Sequence, residues 1–93
     1  MLYFLHPSNP VTVTVDPTTA TVAAGGTQQL TATVTNAIDT SVTWSSSDDL
    51  IATVDTNGLV TVDVGATSAE TVTITATSVE DGTKTATATI TVA

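Results

Sequence analysis

The chain is 93 residues long, 41% hydrophobic and only 11% charged, with nine acidic residues against a single lysine and a net charge of −8. One domain fits that length, with apolar residues enough for a core and too little charge for intrinsic disorder. The acidic balance argues against nucleic acid and anionic membrane as partners, since both are bound through Lys and Arg, and the absence of cysteine removes disulfides, thiolate metal sites and thiol catalysis.

Residues 1–10, MLYFLHPSNP, begin with the apolar run Leu2, Tyr3, Phe4 and Leu5 and are punctuated by Pro7 and Pro10. The run is far shorter than the roughly 20 apolar residues of a membrane-spanning helix. It also lacks the basic segment and cleavage site of a secretory signal, so the chain is expected not to export itself. A tail or linker is predicted here: either Leu2, Tyr3, Phe4 and Leu5 dock onto a protein partner, because an unburied apolar run is a liability, or the segment is an inert, frayed terminus.

From residue 11 onward the pattern has period two, the mark of half-buried strands. VTVTV (11–15) sets Val13 and its neighbouring valines against Thr12 and Thr14, until Asp16-Pro17 breaks the ladder. ATVA (20–23) precedes a Gly25-Gly26 turn. In 27–35, Leu30, Ala32 and Val34 share one face; in 41–46, Val42 shares a face with Trp44. Strands at 51–54 and 59–62 flank Asp55-Thr56-Asn57-Gly58, where Asn-Gly is expected to supply positive φ angles for a tight hairpin. Residues 70–78 and 84–92 follow, joined by a turn at Glu80-Asp81-Gly82. Seven or eight short strands with regular turns predict an all-β, antiparallel sandwich. Its predicted core includes Val13, Leu30, Val34, Trp44, Val54, Val72, Ile74 and Ile90.

Threonine supplies 24 of the 93 residues, mostly on the outward phase of strands. It is β-branched and keeps a strand's wet face hydrated without charge. Paired T-x-T rows also resemble the ladders of β-solenoid antifreeze proteins, which need a flat face with rows in register. A sandwich is expected to divide these strands between two twisted sheets, so the threonines are read as solvation.

Three stretches together, VTVDPTTATVAAGGTQQLTATVT, VTWSSSDDLIATVDTNGLVTV and ETVTITATSVEDGTKTATATITV, resemble the bacterial immunoglobulin-like domain, group 2. The similarity runs over residues 11–93, and its specific part is the W-S-S-S-D segment continuing to G-L-V-T. After Gly58 the sequence departs from the family pattern, which points to a different loop before the sixth strand. The resemblance implies an immunoglobulin-like sandwich of seven to eight strands without a disulfide, catalytic activity or cofactor. It also implies the settings where such domains occur: bacterial surface adhesins, accessory modules of cell-wall enzymes, and phage head or tail proteins.

Candidate chemistry is sparse. Trp44, in phase with Val42, is expected to plug the core rather than to stack on a sugar. His6 lies in the tail, away from any relay. Asp39, Asp55, Asn57, Glu80 and Asp81 are expected at one end of the sandwich, making Asp39, Asp55, Asn57 and Asp81 weak candidates for a hard cation, though turn chemistry accounts for them more simply. Lys84 reads as an exposed solubilising charge. The function expected first is a virion decoration contacting a capsid or tail protein. The alternatives are one repeat of a bacterial cell-surface protein contacting its neighbouring domain, or a weak polysaccharide-binding module.

Overall fold

The computed structural model describes residues 10–93. Nine strands form: β1 (Thr12–Asp16), β2 (Thr19–Val22), β3 (Thr27–Gln29), β4 (Thr31–Thr35), β5 (Val42–Ser46), β6 (Ala52–Val54), β7 (Leu59–Val62), β8 (Thr71–Ser78) and β9 (Thr85–Val92). The ninth segment arises because the expected strand 27–35 divides at Leu30. One layer is a four-stranded sheet in the order β2-β9-β8-β5; the facing layer consists of the β1-β4 pair and the β3-β7-β6 triple.

Local chemistry explains both divisions. Pro17 has no N–H to offer a ladder, so the chain leaves β1, which pairs antiparallel with β4, and re-enters as β2, parallel to β9. At Leu30 the chain exchanges partners. Gln29 faces Leu59 of β7 and Thr31 faces Asp16 of β1, while the Leu30 N–H donates to the Gly58 carbonyl at 2.9 Å. The Leu30 side chain is fully buried.

The core is the inward phase of both layers. Val60, Val62, Val72, Ile74, Ile90 and Val92 are fully buried with Leu30, and Val34 is also buried. Each such side chain contributes roughly 1.5–3 kcal/mol relative to exposure. Val13, Val54 and Trp44 are half-buried; all three pack against this cluster. Ser78 is the buried polar side chain, and its Oγ accepts from the Asp81 N–H at 3.0 Å.

The strand directions give the sandwich two poles. At one, β1 begins, and the loops 36–41 and 79–84 meet: Glu80 Oε1 accepts from the N–H groups of Ile38 and Asp39 at 3.0 and 2.8 Å. Asn36, at φ 62°, donates its amide to the Pro10 carbonyl there. At the other pole β9 ends beside the loops 23–26 and 63–70, with Ala93 N–H bonded to Val22 O and Gly25 N–H to Val62 O.

The turn between β6 and β7 does not reach the first pole. Asp55 Oδ1 accepts from the N–H groups of Asn57 and Leu59, and Gly58 alone takes a positive φ, 81°. This is a turn closed by a left-handed glycine, not the two-residue Asn-Gly hairpin expected from the sequence. Gln29 Nε2 donates to Asn57 O and Leu30 N–H to Gly58 O, which fixes the turn at the level of Leu30. Five more residues of β-run separate that level from Thr35, about 16 Å. The expectation that Asp55 and Asn57 share an end with Asp39 and Asp81 is therefore corrected: β6 and β7 are too short to carry the turn there.

Candidate functional site

The largest regular feature is the outer face of the four-stranded sheet. Strict alternation along β8 and β9 buries Val72, Ile74, Ala76, Ala88, Ile90 and Val92, and turns a threonine outward at every other position. On β2 the outward residues are Thr19 and Thr21, and on β5 they are Thr43 and Ser45. All twelve outward positions, two each on β2 and β5 and four each on β8 and β9, therefore carry a hydroxyl.

The pairing brings these hydroxyls into four cross-strand rows. Thr21, Thr91 and Thr71 form the first; Thr19, Thr89 and Thr73 the second; Thr87, Thr75 and Ser45 the third; Thr85, Thr77 and Thr43 the fourth. Neighbouring strands lie about 4.7–4.9 Å apart, and rows repeat every two residues, about 6.6–6.8 Å. The sandwich does divide the threonine-bearing strands between two layers, with 27–35 in the facing one, but 70–78 and 84–92 are adjacent in a single sheet. Sequence alternation marks the threonines of β8 and β9. It gives no sign that β2 and β5 extend their rows, because that depends on strand order.

A second feature is the opening left where the β6–β7 turn stops short. A groove of about 240 Å³ lies there, floored by Trp44 and Val42 and rimmed by Gln29, Thr31, Thr56 and Asn57. Trp44 is held at its inner edge by Gly58: a Cβ added to that glycine would stand 2.8 Å from the indole Cζ2. The indole thus reaches the core from one side and shows solvent the other.

The carboxylates do not converge. Among the described residues no group of three or more His, Cys, Asp or Glu is placed to hold a metal ion. Asp39 Oδ1 accepts from Ser41 N–H at 2.9 Å, and Asp81 Oδ1 accepts from the Thr83 hydroxyl at 2.6 Å and the Thr83 N–H at 3.0 Å. Side-chain hydrogen bonding, from Ser41 and Thr83 respectively, leads the causes that lower both carboxyls below their ordinary value; Lys84 adds a weaker attraction for Asp81. Each closes a local turn. Lys84 itself is half-buried beside a groove lined by Pro10–Val13. His6 and the apolar run Leu2, Tyr3, Phe4 and Leu5 lie outside the described residues.

Large apolar side chains are exposed at both poles. Ile38 (98% exposed) and Val79 (51%) stand at the pole where β1 begins, and Leu50 (86%) and Val64 (84%) lie on the 47–51 and 63–70 loops toward the other. Sequence reading missed them because they sit in loops, where alternation carries no information.

A disulfide-free, two-layer sandwich with β2 crossing to the second sheet has the architecture of an immunoglobulin-like domain. The chain belongs to the bacterial Ig-like domain (group 2) family, whose model matches residues 11–90. Domains of this family are in general non-catalytic, extracellular or surface-exposed modules. Over 53 residues, half of this chain, the sequence is 45% identical to Ice-binding protein 1 of Shewanella frigidimarina, of which the match covers 6%. No helix among the described residues is long and apolar enough to cross a membrane.

Proposed function

We propose that the chain is one structural bead of a longer surface-exposed bacterial protein, holding its neighbours in line and contributing no catalysis. The observation that carries this reading is the polarity of the sandwich: β1 starts at one pole and β9 ends at the other. Beads joined in sequence would therefore stack end to end. Ile38 and Val79 at one pole, and Leu50 and Val64 toward the other, give each junction apolar contact area. The similarity to a segment covering 6% of a longer bacterial protein supports this bead over the virion decoration placed first from the sequence. On this reading the partner is the adjoining Ig-like domain, and Leu2, Tyr3, Phe4 and Leu5 pack into the junction.

Two copies joined head to tail through the native 1–10 segment test the reading by small-angle X-ray scattering. An in-line pair should have close to twice the maximum dimension of one copy, and Ile38→Asp together with Val64→Asp should loosen it into a bent ensemble. A compact side-by-side pair would remove the bead reading. Co-purification of the single chain with phage particles would reinstate the virion one.

A further inference from the structure

We propose that the outer face of the four-stranded sheet adsorbs to ice, with the eight threonines of β8 and β9 as the contact. A bead does not require this face to bind anything, so the two readings stand or fall separately.

The composition of the face narrows its partner. Protein interfaces are enriched in aromatic residues and Arg, sugar platforms use exposed aromatics, phosphates call for Lys and Arg, and hard cations call for several carboxylates. None of these residue types occupies any of the twelve outward positions. The nine acidic residues lie elsewhere: Asp16 closes β1 on the other layer, and the remaining eight lie in loops. What the face offers is uncharged, each hydroxyl able to donate one hydrogen bond and accept two, with a methyl beside it on every threonine. The partner complementary to such a surface is itself neutral and made of oxygens that both donate and accept.

Spacing singles out a water lattice. Adjacent strands stand about 4.8 Å apart, and hydroxyls that keep this spacing are too far apart to bond each other directly at about 2.8 Å, unlike Thr12 and Thr35, whose hydroxyls meet on the other layer. One water fits between each pair. Two bonds of about 2.8 Å span 4.8 Å at an angle of roughly 118°, close to tetrahedral. Conversely, a tetrahedral network with bonds of that length places second-neighbour oxygens about 4.6 Å apart, within roughly 5% of the strand spacing. The rows of hydroxyls can thus stand in for alternate oxygens of an ice layer.

Twist decides which threonines matter. Adjacent strands rotate by about 20–25°, so a lattice plane laid along β8 and β9 diverges from β2 and β5. Contact is concentrated in the two central files, where the rows are four deep and the relative rotation is a single step.

The test is ice-affinity partitioning of the 93-residue chain, with serum albumin dissolved beside it as the excluded reference. Thr75 and Thr87 face each other at the centre of the array, and Thr14 and Thr33 face each other on the opposite sheet. Thr75→Lys with Thr87→Lys, and Thr14→Lys with Thr33→Lys, make the same change in charge on the two faces. The parent chain should be enriched in the ice fraction. The first double variant should fall to the albumin level and the second should match the parent, all with thermal midpoints recorded. Should the first pair weaken the fold, Thr87→Lys alone, at an exposed site, should still lower the enrichment. Exclusion of the parent chain from ice, or equal losses from both double variants, overturns the proposal.

Discussion

In the four-stranded sheet β8 and β9 run beside each other for seven paired positions, each inward residue meeting an inward residue and each outward threonine an outward threonine. The facing layer uses the same residue types, yet its ladder is broken at Leu30 into a pair and a triple, and its outward face is interrupted by Asp16, Gln29 and Leu59. The difference lies in strand length. Two eight-residue strands propagate one register across a whole layer. Strands of three to five residues rely on single points such as Gly58, where turn, ladder and core meet. Regularity is thus concentrated in one sheet and vulnerability in the other.

The largest expected effect separates buried from half-buried positions across the two layers. Ile74→Ala, at the centre of β8 with no exposed surface, should cost about 4 kcal/mol, close to the whole stability of a small domain. Val54→Ala, half-buried on the edge strand β6, should cost about 1 kcal/mol. Urea unfolding of both variants checks the ratio; equal costs would mean that the two layers contribute alike.

Gly58→Ala tests the weak point. At φ 81° an L side chain is strained, and the new Cβ would stand 2.7 Å from Leu30 O and 2.8 Å from Trp44 Cζ2. Left-handed strain of about 1–2 kcal/mol adds to overpacking of about 1–3 kcal/mol, for an expected loss near 3 kcal/mol. Trp44 is the chain's single tryptophan, so its fluorescence should shift toward that of exposed indole before global unfolding. Intact emission at unchanged stability would show that the turn can move away freely.

Much of this was legible in the sequence. Every predicted strand is present with its ends within about one residue, because alternation between Val or Ala and Thr reports local burial directly. Neighbour relations were not legible. Nothing local to 19–22 says that it runs parallel to β9, and nothing local to 55–58 says that β6 and β7 stop below the pole. The partial exposure of Trp44 follows from the length of β6, the next strand along the chain, in the other layer. The threonine array was visible as residues but not as rows, since rows are a property of pairing.

A smaller effect lies in the 63–70 loop. Ala69 takes φ 74° while its N–H bonds Val92 O at 2.8 Å, anchoring the loop to the end of β9. A left-handed non-glycine residue costs about 1–2 kcal/mol, and glycine there returns about 0.4–1 kcal/mol of that as unfolded-chain entropy. Ala69→Gly should therefore stabilise by about 0.5 kcal/mol, raising the melting midpoint by a few degrees. A fall would show that the alanine methyl contributes packing that outweighs the strain.

The smallest effect concerns the loops 36–41 and 79–84, at the pole where β1 begins. The Asp81 carboxyl is held below its ordinary value of 3.8 chiefly by the Thr83 hydroxyl, then by the Thr83 N–H, with Lys84 adding a weaker attraction. Asp39 is lowered in the same way by Ser41. A carboxyl depressed in the folded state contributes stability that is present above its unfolded pKa and is lost as pH falls through the folded one. Any gain from this pair is therefore present at neutral pH and disappears below the ordinary carboxylate range, and at the solvent-facing surface it is small. Thr83→Ala removes the leading donor and leaves the Thr83 backbone N–H and the Ser41 contacts in place. Carbon-detected NMR titration should show the Asp81 midpoint moving up toward its ordinary value while Asp39 stays where it was. An unmoved Asp81 would shift the cause to the backbone amide and Lys84, and the hydroxyl would then serve the turn's geometry alone.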